Sequence, residues 1–340
     1  MAGSITALPL TRTWRPPFPL DIQAVLAVHR RGRGDPAFQV GPGGVIWRTC
    51  LTPDGPATLR VVAAAGAAAG GVAAGGPAAG GPWPGGAVAA GVTVAVATAW
   101  GPGAEWLLGQ LPELLGARDD PVGFTPAHGP LRDMAARHPG LRVGRTSRVL
   151  EALVPAVLEQ KVVGAEASRA WRLLLASYGE PAPGAGPGSP VPARMRVFPS
   201  PRVWASIPSW EWHRAGVEAV RARTIIAAAS AAQRLEEIAV MEPAAADRRL
   251  RAIAGIGHWT SAEVRQRAVG DADAVSVGDY HLPSMVGWAL AGRAVSDAGM
   301  LELLAPYRGH RYRATRLVEL SGAGPPRRGP RLAARDYRTI

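Results

Sequence analysis

Two glycines separated by one apolar residue, Gly255-Ile256-Gly257, divide two helix-forming segments in the C-terminal half of the chain. The first segment ends with residues 250–253, and the second begins at His258-Trp259-Thr260. Glycine lets the backbone reverse sharply and leaves no side chain over the neighbouring amides. The amides at the start of the second helix can therefore point at an anionic group such as a phosphate. The pattern predicts a phosphate-binding helix–hairpin–helix, with an ordinary helix–helix turn as the alternative.

One carboxylate, Asp279, follows the hairpin within the run Val-Ser-Val-Gly-Asp-Tyr-His-Leu-Pro. A carboxylate beside a bound phosphate suits chemistry on a nucleic acid, because it stabilises positive charge on a sugar and orients or deprotonates a water. The alternative is a helix N-cap, since aspartate is a favoured capping residue. From the residues alone the two interpretations have equal support. Asp271 and Asp273, which are nearer the hairpin, are expected to be solvated loop residues.

The charge of the chain points to an anionic partner. The 340 residues carry a net charge of +12, which suits DNA, RNA or an anionic membrane surface. Almost all of the basic residues are arginine, and Lys161 is the only lysine. Together with 42 glycines and 32 prolines, this bias indicates a GC-rich coding sequence. The net charge therefore receives about half of its usual weight as evidence for an anionic partner.

The cysteine and histidine content excludes several kinds of site. A single cysteine, Cys50, cannot form an internal disulfide or a cysteine-ligated zinc or iron–sulfur site. The seven histidines lack metal-ligand spacing, so no metal site is predicted. No signal peptide is recognisable, and prolines and glycines interrupt the Ala/Gly/Val run at 61–99, which argues against a membrane span there. We therefore expect a soluble, cytoplasmic protein.

Residues 1–103 are expected to form a small α+β domain. A helix is predicted over 19–30 with Asp21 as its cap, followed by a hairpin of strands 45–52 and 57–62 around Pro53-Asp54-Gly55. Alternation predicts a further strand from Val92. Residues 1–12 are interpreted as a loose terminus, and the Ala/Gly-rich segment 63–91 as a loop.

From residue 104 the pattern becomes helical and remains so to residue 320. Apolar residues recur at helical spacing over 147–179, and further helices are predicted near 202–206, 213–237, 245–252 and 260–269, then through 283–320. Residues 181–192 are interpreted as a Pro/Gly linker, and 321–340 as a basic tail. The sequence therefore predicts a mainly α protein whose small α+β domain precedes a helical core.

The order of hairpin, Trp259 and Asp279 resembles the helix-hairpin-helix (HhH-GPD) DNA glycosylases, most closely the AlkA-type DNA-3-methyladenine glycosylase II branch. The resemblance covers about residues 104–320 and implies a core of two helical subdomains with the active site in the cleft between them. It also implies a monofunctional DNA glycosylase of base excision repair. Such an enzyme flips an alkylated nucleotide out of duplex DNA and hydrolyses its N-glycosidic bond, which leaves an abasic site.

The resemblance assigns roles to individual residues. Asp279 falls on the catalytic aspartate. Gln160 matches a glutamine that precedes the residue filling the gap left by the flipped nucleotide. That residue is an apolar wedge in the best-known relatives and is Lys161 here, so Lys161 either fills the gap, binds a phosphate or lies on an exposed helix surface. The predicted DNA-binding residues are Gly255, Ile256, Gly257, His258, Thr260, Gln160 and Lys161.

Trp259 occupies the position at which bifunctional relatives carry their Schiff-base lysine, and tryptophan cannot form an imine. The resemblance places Trp259 in the base pocket, and Tyr280 is a further candidate there; core packing is the alternative for Trp259. For Trp210 and Trp212 a structural role is favoured. The stacking tryptophan of the last helix in the best-known relative has no clear match, because the alignment reaches Arg316 there.

The resemblance implies no redox cofactor and no catalytic metal, although it allows a monovalent cation on the hairpin carbonyls. The expected partner is double-stranded DNA with damaged bases, bound by a monomer that associates with the nucleoid and not with a membrane. Two alternatives stay open: a glycosylase for a neutral oxidised or deaminated base, and a non-catalytic DNA-binding protein that keeps the hairpin.

Overall fold

The computed structural model describes residues 8–65 and 93–324, and an antiparallel sheet occupies the N-terminal part. Its strands are β1 (Leu10–Trp14), β2 (Phe38–Val40), β3 (Ile46–Thr52), β4 (Gly55–Ala65) and β5 (Thr93–Trp100). Their order across the sheet is β1-β5-β4-β3-β2. The predicted hairpin is present as β3 and β4, which pair from Thr52 opposite Gly55 to Ile46 opposite Val61. Gly55 turns the chain there with φ of 120°, a conformation that favours glycine.

The remainder of the described chain is mostly helical. The helices are α1 (Ile22–Leu26), α2 (Ala104–Leu114), α3 (Gly129–Arg137), α4 (Val149–Leu158), α5 (Gly164–Tyr178), α6 (Pro201–Ser206), α7 (Ser209–Arg214), α8 (Ala219–Ser230), α9 (Ala232–Glu236), α10 (Pro243–Arg251), α11 (His258–Val264), α12 (Leu282–Ala291), α13 (Asp297–Leu304) and α14 (Arg311–Ser321). A π-helical turn, Arg265–Val269, continues α11. A small N-terminal sheet followed by a mostly helical chain confirms the predicted fold class, which is mainly α with a small α+β domain before the helical core.

Among the described residues, three large hydrophobic cores organise these elements, and a fourth, smaller cluster lies on the second face of the sheet. In the sheet core, one face of the sheet packs against α1 and α2 through residues such as Leu59, Ala97 and Leu111. The middle core joins helices α4 to α11. The terminal core joins α3 with α12, α13 and α14. The helical part therefore has two separate cores, and the chain passes from the middle core to the terminal core through the loop between residues 270 and 281.

Several element predictions need correction. Residues 10–12 belong to β1, because β5 offers them an antiparallel partner, so the terminus is not loose there. Strand β4 extends to Ala65, past the predicted start of the loop at 63; residues 66–91 lie outside the described part. The predicted helix over 213–237 is divided among α7, α8 and α9, with a left-handed turn at Gly216.

The segment 181–192, which was predicted to be a linker, also packs against the sheet. Its residues Ala182 and Val191 are buried against Trp47 and Trp100 on the second face of the sheet, together with Met195. Trp47 and Trp100 lie 5.6 Å apart between ring centroids. Alternation along β3 and β5 would leave these tryptophans exposed, so the Pro/Gly-rich segment covers an apolar surface that the helices leave open.

No helix in residues 8–65 and 93–324 combines the length and the apolar character that a membrane crossing requires.

A buried ion pair fixes the sheet to the middle core. The carboxylate of Glu151 on α4 accepts a hydrogen bond of 2.8 Å from the Arg48 guanidinium of β3. Its second oxygen accepts one of 2.7 Å from the backbone amide of Leu51. The side chains of Arg48 and Glu151 are only 8% and 9% exposed. Removal of either partner would leave an uncompensated charge in the interior.

We predict that Glu151→Ala lowers the free energy of unfolding by about 3–5 kcal/mol, because it leaves the Arg48 charge and the Leu51 amide without their partner. Chemical denaturation followed by circular dichroism measures this loss. The matched control is Glu237→Ala, which removes a carboxylate that is 57% exposed and paired with Arg249. The control should cost less than about 1 kcal/mol. Equal losses in the two variants would show that the Arg48–Glu151 pair does not anchor the sheet.

Candidate active site

The hairpin between α10 and α11 has the conformation that its glycines predict. Gly255 has φ of 89°, in the left-handed region. A Cβ at this position would lie 2.1 Å from Oγ1 of Thr224 on α8. Thr224 in turn donates a hydrogen bond of 3.2 Å to the carbonyl of Ala254. Gly255 is therefore required both for the turn and for the close approach of α8.

Gly257 has a different role, as the N-cap of α11. Its φ is −95°, which any residue adopts, and a Cβ there would have no heavy atom within 4 Å. The amide of Ser261 bonds to the Gly257 carbonyl, as in a regular helix start. The preceding amides of His258, Trp259 and Thr260 have no hydrogen-bond partner among the described residues. The first turn of α11 therefore presents donors next to an unobstructed surface.

The turn that follows α4 lies against this hairpin. Nε2 of Gln160 donates hydrogen bonds of 3.0 Å to the Gly255 carbonyl and 2.8 Å to Oγ1 of Thr260. The next residue, Lys161, is exposed and has φ of 55°. Lys161 thus lies in a strained turn beside the hairpin and not on the surface of a helix. The structure brings the predicted residues of both segments together.

Asp279 lies in the loop that leads to α12, and both of its carboxylate oxygens have partners. Oδ1 accepts hydrogen bonds of 2.8 Å from the amide of His281 and 2.9 Å from the amide of Leu282. Oδ2 accepts one of 2.9 Å from Nε1 of Trp259 on α11. The carboxylate therefore binds amides at the start of α12 as a capping side chain does, although the N-cap residue itself is His281 and not Asp279 as predicted. This interaction does not compete with a chemical role, because the same carboxylate also lies beside the hairpin helix.

A network of buried polar side chains supports the loop that carries Asp279. Nε2 of Gln266 donates 3.0 Å hydrogen bonds to the carbonyl of Ala274 and to Oγ of Ser276. Oγ of Ser276 donates to Glu263 at 2.6 Å, and Glu263 pairs with Arg267 at 2.7 Å. Gln266 and Ser276 are almost fully buried. Satisfied buried networks of this kind hold a backbone in one conformation, so the loop that carries Asp279 is held from the α11 side.

Asp271 is not solvated and Asp273 is only partly exposed, contrary to the prediction. Asp271 is buried and forms an ion pair with Arg265. Asp273 binds the Arg311 guanidinium with both oxygens, at 2.8 and 2.5 Å. Burial raises the pKa of Asp273, but the hydrogen bonds from Arg311 outweigh this effect and lower the pKa below its usual value. The sequence carried no signal for the pair of Asp273 with Arg311, because Arg311 is 38 positions away along the chain.

The candidate aromatic residues have different surroundings. Trp259 is partly buried against the middle core. Tyr280 is 82% exposed, and its ring meets that of His281 edge-on at 4.8 Å. Trp210 is largely exposed on α7, whereas Trp212 is buried and stacks on Trp204, which agrees with a structural role for Trp212. The base-pocket roles of Trp259 and Tyr280 stay predictions.

The monovalent cation that the resemblance allows on the hairpin carbonyls stays a prediction. The carbonyl oxygens of Ile253, Ala254 and Gly255 each accept one hydrogen bond from the protein, which leaves a second lone pair on each of them. Among residues 8–65 and 93–324, no three histidine, cysteine, aspartate or glutamate side chains cluster closely enough to hold a metal ion. Cys50 is fully buried, and burial raises the pKa of its thiol, so it is not a reactive nucleophile.

Two cavities lie away from Asp279. One, of about 50 Å³, is polar and lies between β3 and helices α4 and α5; Arg48 and Glu151 line it. The other, of about 460 Å³, is an apolar groove between α7 and α8. Neither is lined by Asp279 or Trp259. The hairpin, the Gln160 turn and Asp279 therefore lie apart from both of these cavities.

Comparison with known proteins identifies the fold. No family model matches the chain, and comparison with curated proteins gives no significant match. Among solved structures, a 3-methyladenine DNA glycosylase from Archaeoglobus fulgidus superposes with a TM-score of 0.70 at 16% sequence identity, over 92% of this chain and 98% of that chain. An 8-oxoguanine glycosylase/lyase from Clostridium acetobutylicum, in complex with double-stranded DNA, gives 0.62 at 10% identity, over 93% and 99%.

These likenesses extend over nearly the whole of both chains, so the small sheet domain is included as well as the helical part. The chain therefore has the fold of the helix-hairpin-helix DNA glycosylases, and the resemblance noted in the sequence is confirmed at the level of fold.

Proposed function

We propose that this protein is a monofunctional DNA glycosylase that releases alkylated bases of the 3-methyladenine type from duplex DNA. The observation that carries the proposal is the position of Asp279. Its carboxylate is held by the first turn of the hairpin helix, through Trp259, next to a surface of unpartnered backbone donors. A fixed anion beside a candidate phosphate site is what cleavage of a nucleotide requires.

The proposed reaction follows from these two features. The hairpin amides hold one backbone phosphate, which positions the strand without reading its sequence. The target nucleotide rotates out of the helix, and Lys161, in the neighbouring turn, fills the gap or binds a phosphate. As the N-glycosidic bond breaks, positive charge develops on the sugar, and Asp279 stabilises it and orients the attacking water. An alkylated purine is already cationic and leaves without a strong general acid.

The phosphate grip can be tested at Gly257, because a Cβ there meets no other atom of the protein. Gly257→Ala should keep the native stability and should weaken binding to damaged and undamaged duplexes by a similar factor, since the contact is to the backbone. Fluorescence anisotropy at several salt concentrations measures both affinities. Gly186→Ala is the matched control, because Gly186 also has open space and no left-handed conformation. Loss of lesion affinity alone would place the hairpin in the base pocket.

We predict that Asp279→Asn removes most base release while the protein still binds DNA. The substitution deletes the negative charge but keeps the size of the side chain. Base release should be measured under single-turnover conditions on duplexes with different single lesions, and circular dichroism should confirm folding. A turnover within tenfold of the unchanged protein, a barrier difference of about 1.4 kcal/mol, would show that Asp279 is not the principal catalytic group.

The same lesion panel separates the alternatives. A glycosylase for a neutral oxidised base is the second candidate, because the fold is also that of the 8-oxoguanine glycosylase/lyase from Clostridium acetobutylicum. Preference for alkylated purines supports the proposal, and preference for an oxidised or deaminated base supports this second candidate. Binding without release of any base would support a non-catalytic DNA-binding protein.

The product is expected to be an intact strand with an abasic site. The residue beside Asp279 is Trp259, whose indole cannot form an imine, and Lys161 is the only lysine of the chain. Strands should therefore break only after alkali or heat, and borohydride should trap no covalent protein–DNA adduct. A trapped adduct would contradict the monofunctional assignment, and its disappearance in Lys161→Arg would identify the amine.

A further inference from the structure

We infer that Trp259 is a positioning residue for Asp279: its indole N–H holds the carboxylate in the orientation that the reaction needs. The inference rests on the proposed function and deepens it, because it assigns Trp259 a role other than that of a pocket wall. The hydrogen bond from Nε1 of Trp259 to Oδ2 of Asp279 is 2.9 Å long. It joins two residues that are 20 positions apart in the chain.

The two oxygens of Asp279 are not equivalent. Oδ1 accepts two backbone amides at the start of α12 and so has no remaining lone pair. Oδ2 accepts only the indole, which leaves one lone pair free for a sugar cation or a water. The amides alone would let the carboxylate pivot about Oδ1. The third hydrogen bond stops this rotation and therefore decides where the free lone pair points.

Trp259 is suited to this task because its own position is well determined. It lies in the first turn of α11, and its ring packs against the middle core. The neighbouring residue Thr260 is buried and accepts the hydrogen bond of Gln160. The indole thus links a helix of the middle core to the loop that leads into the terminal core. Its N–H only donates, so it orients the carboxylate and accepts nothing in return.

The first test is Trp259→Phe, which keeps an aromatic ring and removes the donor. A hydrogen bond to an ionised group is strong, so the single-turnover rate of base release should fall by roughly tenfold to a hundredfold. Affinity for the lesion duplex should stay within about twofold, since a ring is still present to stack. Trp210→Phe, on the exposed side of α7, is the matched control and should change neither quantity.

The second test is a double-mutant cycle with Asp279→Asn, read both as rate and as melting temperature. If Trp259 acts only through the carboxylate, Trp259→Phe should add no further loss of rate in the Asp279→Asn background. The melting temperature gives a readout that needs no catalysis. In Asp279→Asn the side-chain oxygen should face the two backbone amides, which leaves the new NH₂ group opposite the indole, itself a donor. Trp259→Phe should therefore lower the melting temperature of the unchanged protein but not that of Asp279→Asn.

The outcomes distinguish this inference from the proposed function. Retention of the wild-type rate in Trp259→Phe would overturn the inference and leave the glycosylase assignment intact. A loss of lesion affinity with an unchanged rate would do the same, since it would make Trp259 a pocket wall. Where the rate of Asp279→Asn is too low to measure, or the protein releases no base, the melting temperatures decide. Equal decreases in both backgrounds would show that the indole does not hold the carboxylate.

Discussion

The rest of the site depends on the three hydrogen bonds that hold the carboxylate of Asp279. Two come from the start of α12 and one from Trp259 on α11, so elements of both helical cores meet at a single side chain. A carboxylate fixed in this way has little freedom left to lose when a substrate binds. Such preorganisation is the main means by which a protein stabilises charge that develops during a reaction. The network of buried polar side chains through Ser276 holds the same loop from the α11 side.

The two glycines of the hairpin serve different purposes, although they look equivalent in the sequence. Gly255 is required by the protein itself, because its backbone is left-handed and Thr224 leaves no room for a Cβ. Gly257 is not required by the fold, since a Cβ there would meet nothing. The absence of a side chain at Gly257 therefore keeps the surface in front of α11 open.

Many of the arginines are structural. Arg48 anchors the sheet to α4, and Arg313 forms an almost fully buried pair with Asp119 on the terminal core. Arg265 and Arg311 hold the loop before Asp279 through the two aspartates that were expected to be solvated. Guanidinium groups suit such pairs, because they are always charged and bind carboxylates with two donors. The basic charge of the chain is thus partly used inside the protein, and the net charge is a poor measure of how basic the surface is.

The sequence by itself determined the class of the fold, the β3–β4 hairpin, the cap at Asp21 and the helical hairpin around Gly255. These features depend on local chemistry: alternation, capping side chains and glycine conformations act within a few residues. Only the tertiary structure decided that Trp259 bonds to Asp279, that Gln160 bridges the hairpin, and that residues 10–12 form a strand. Each of these contacts joins segments that are distant in the chain. Local sequence patterns do not specify which distant residues the packing of the helices and strands will bring together.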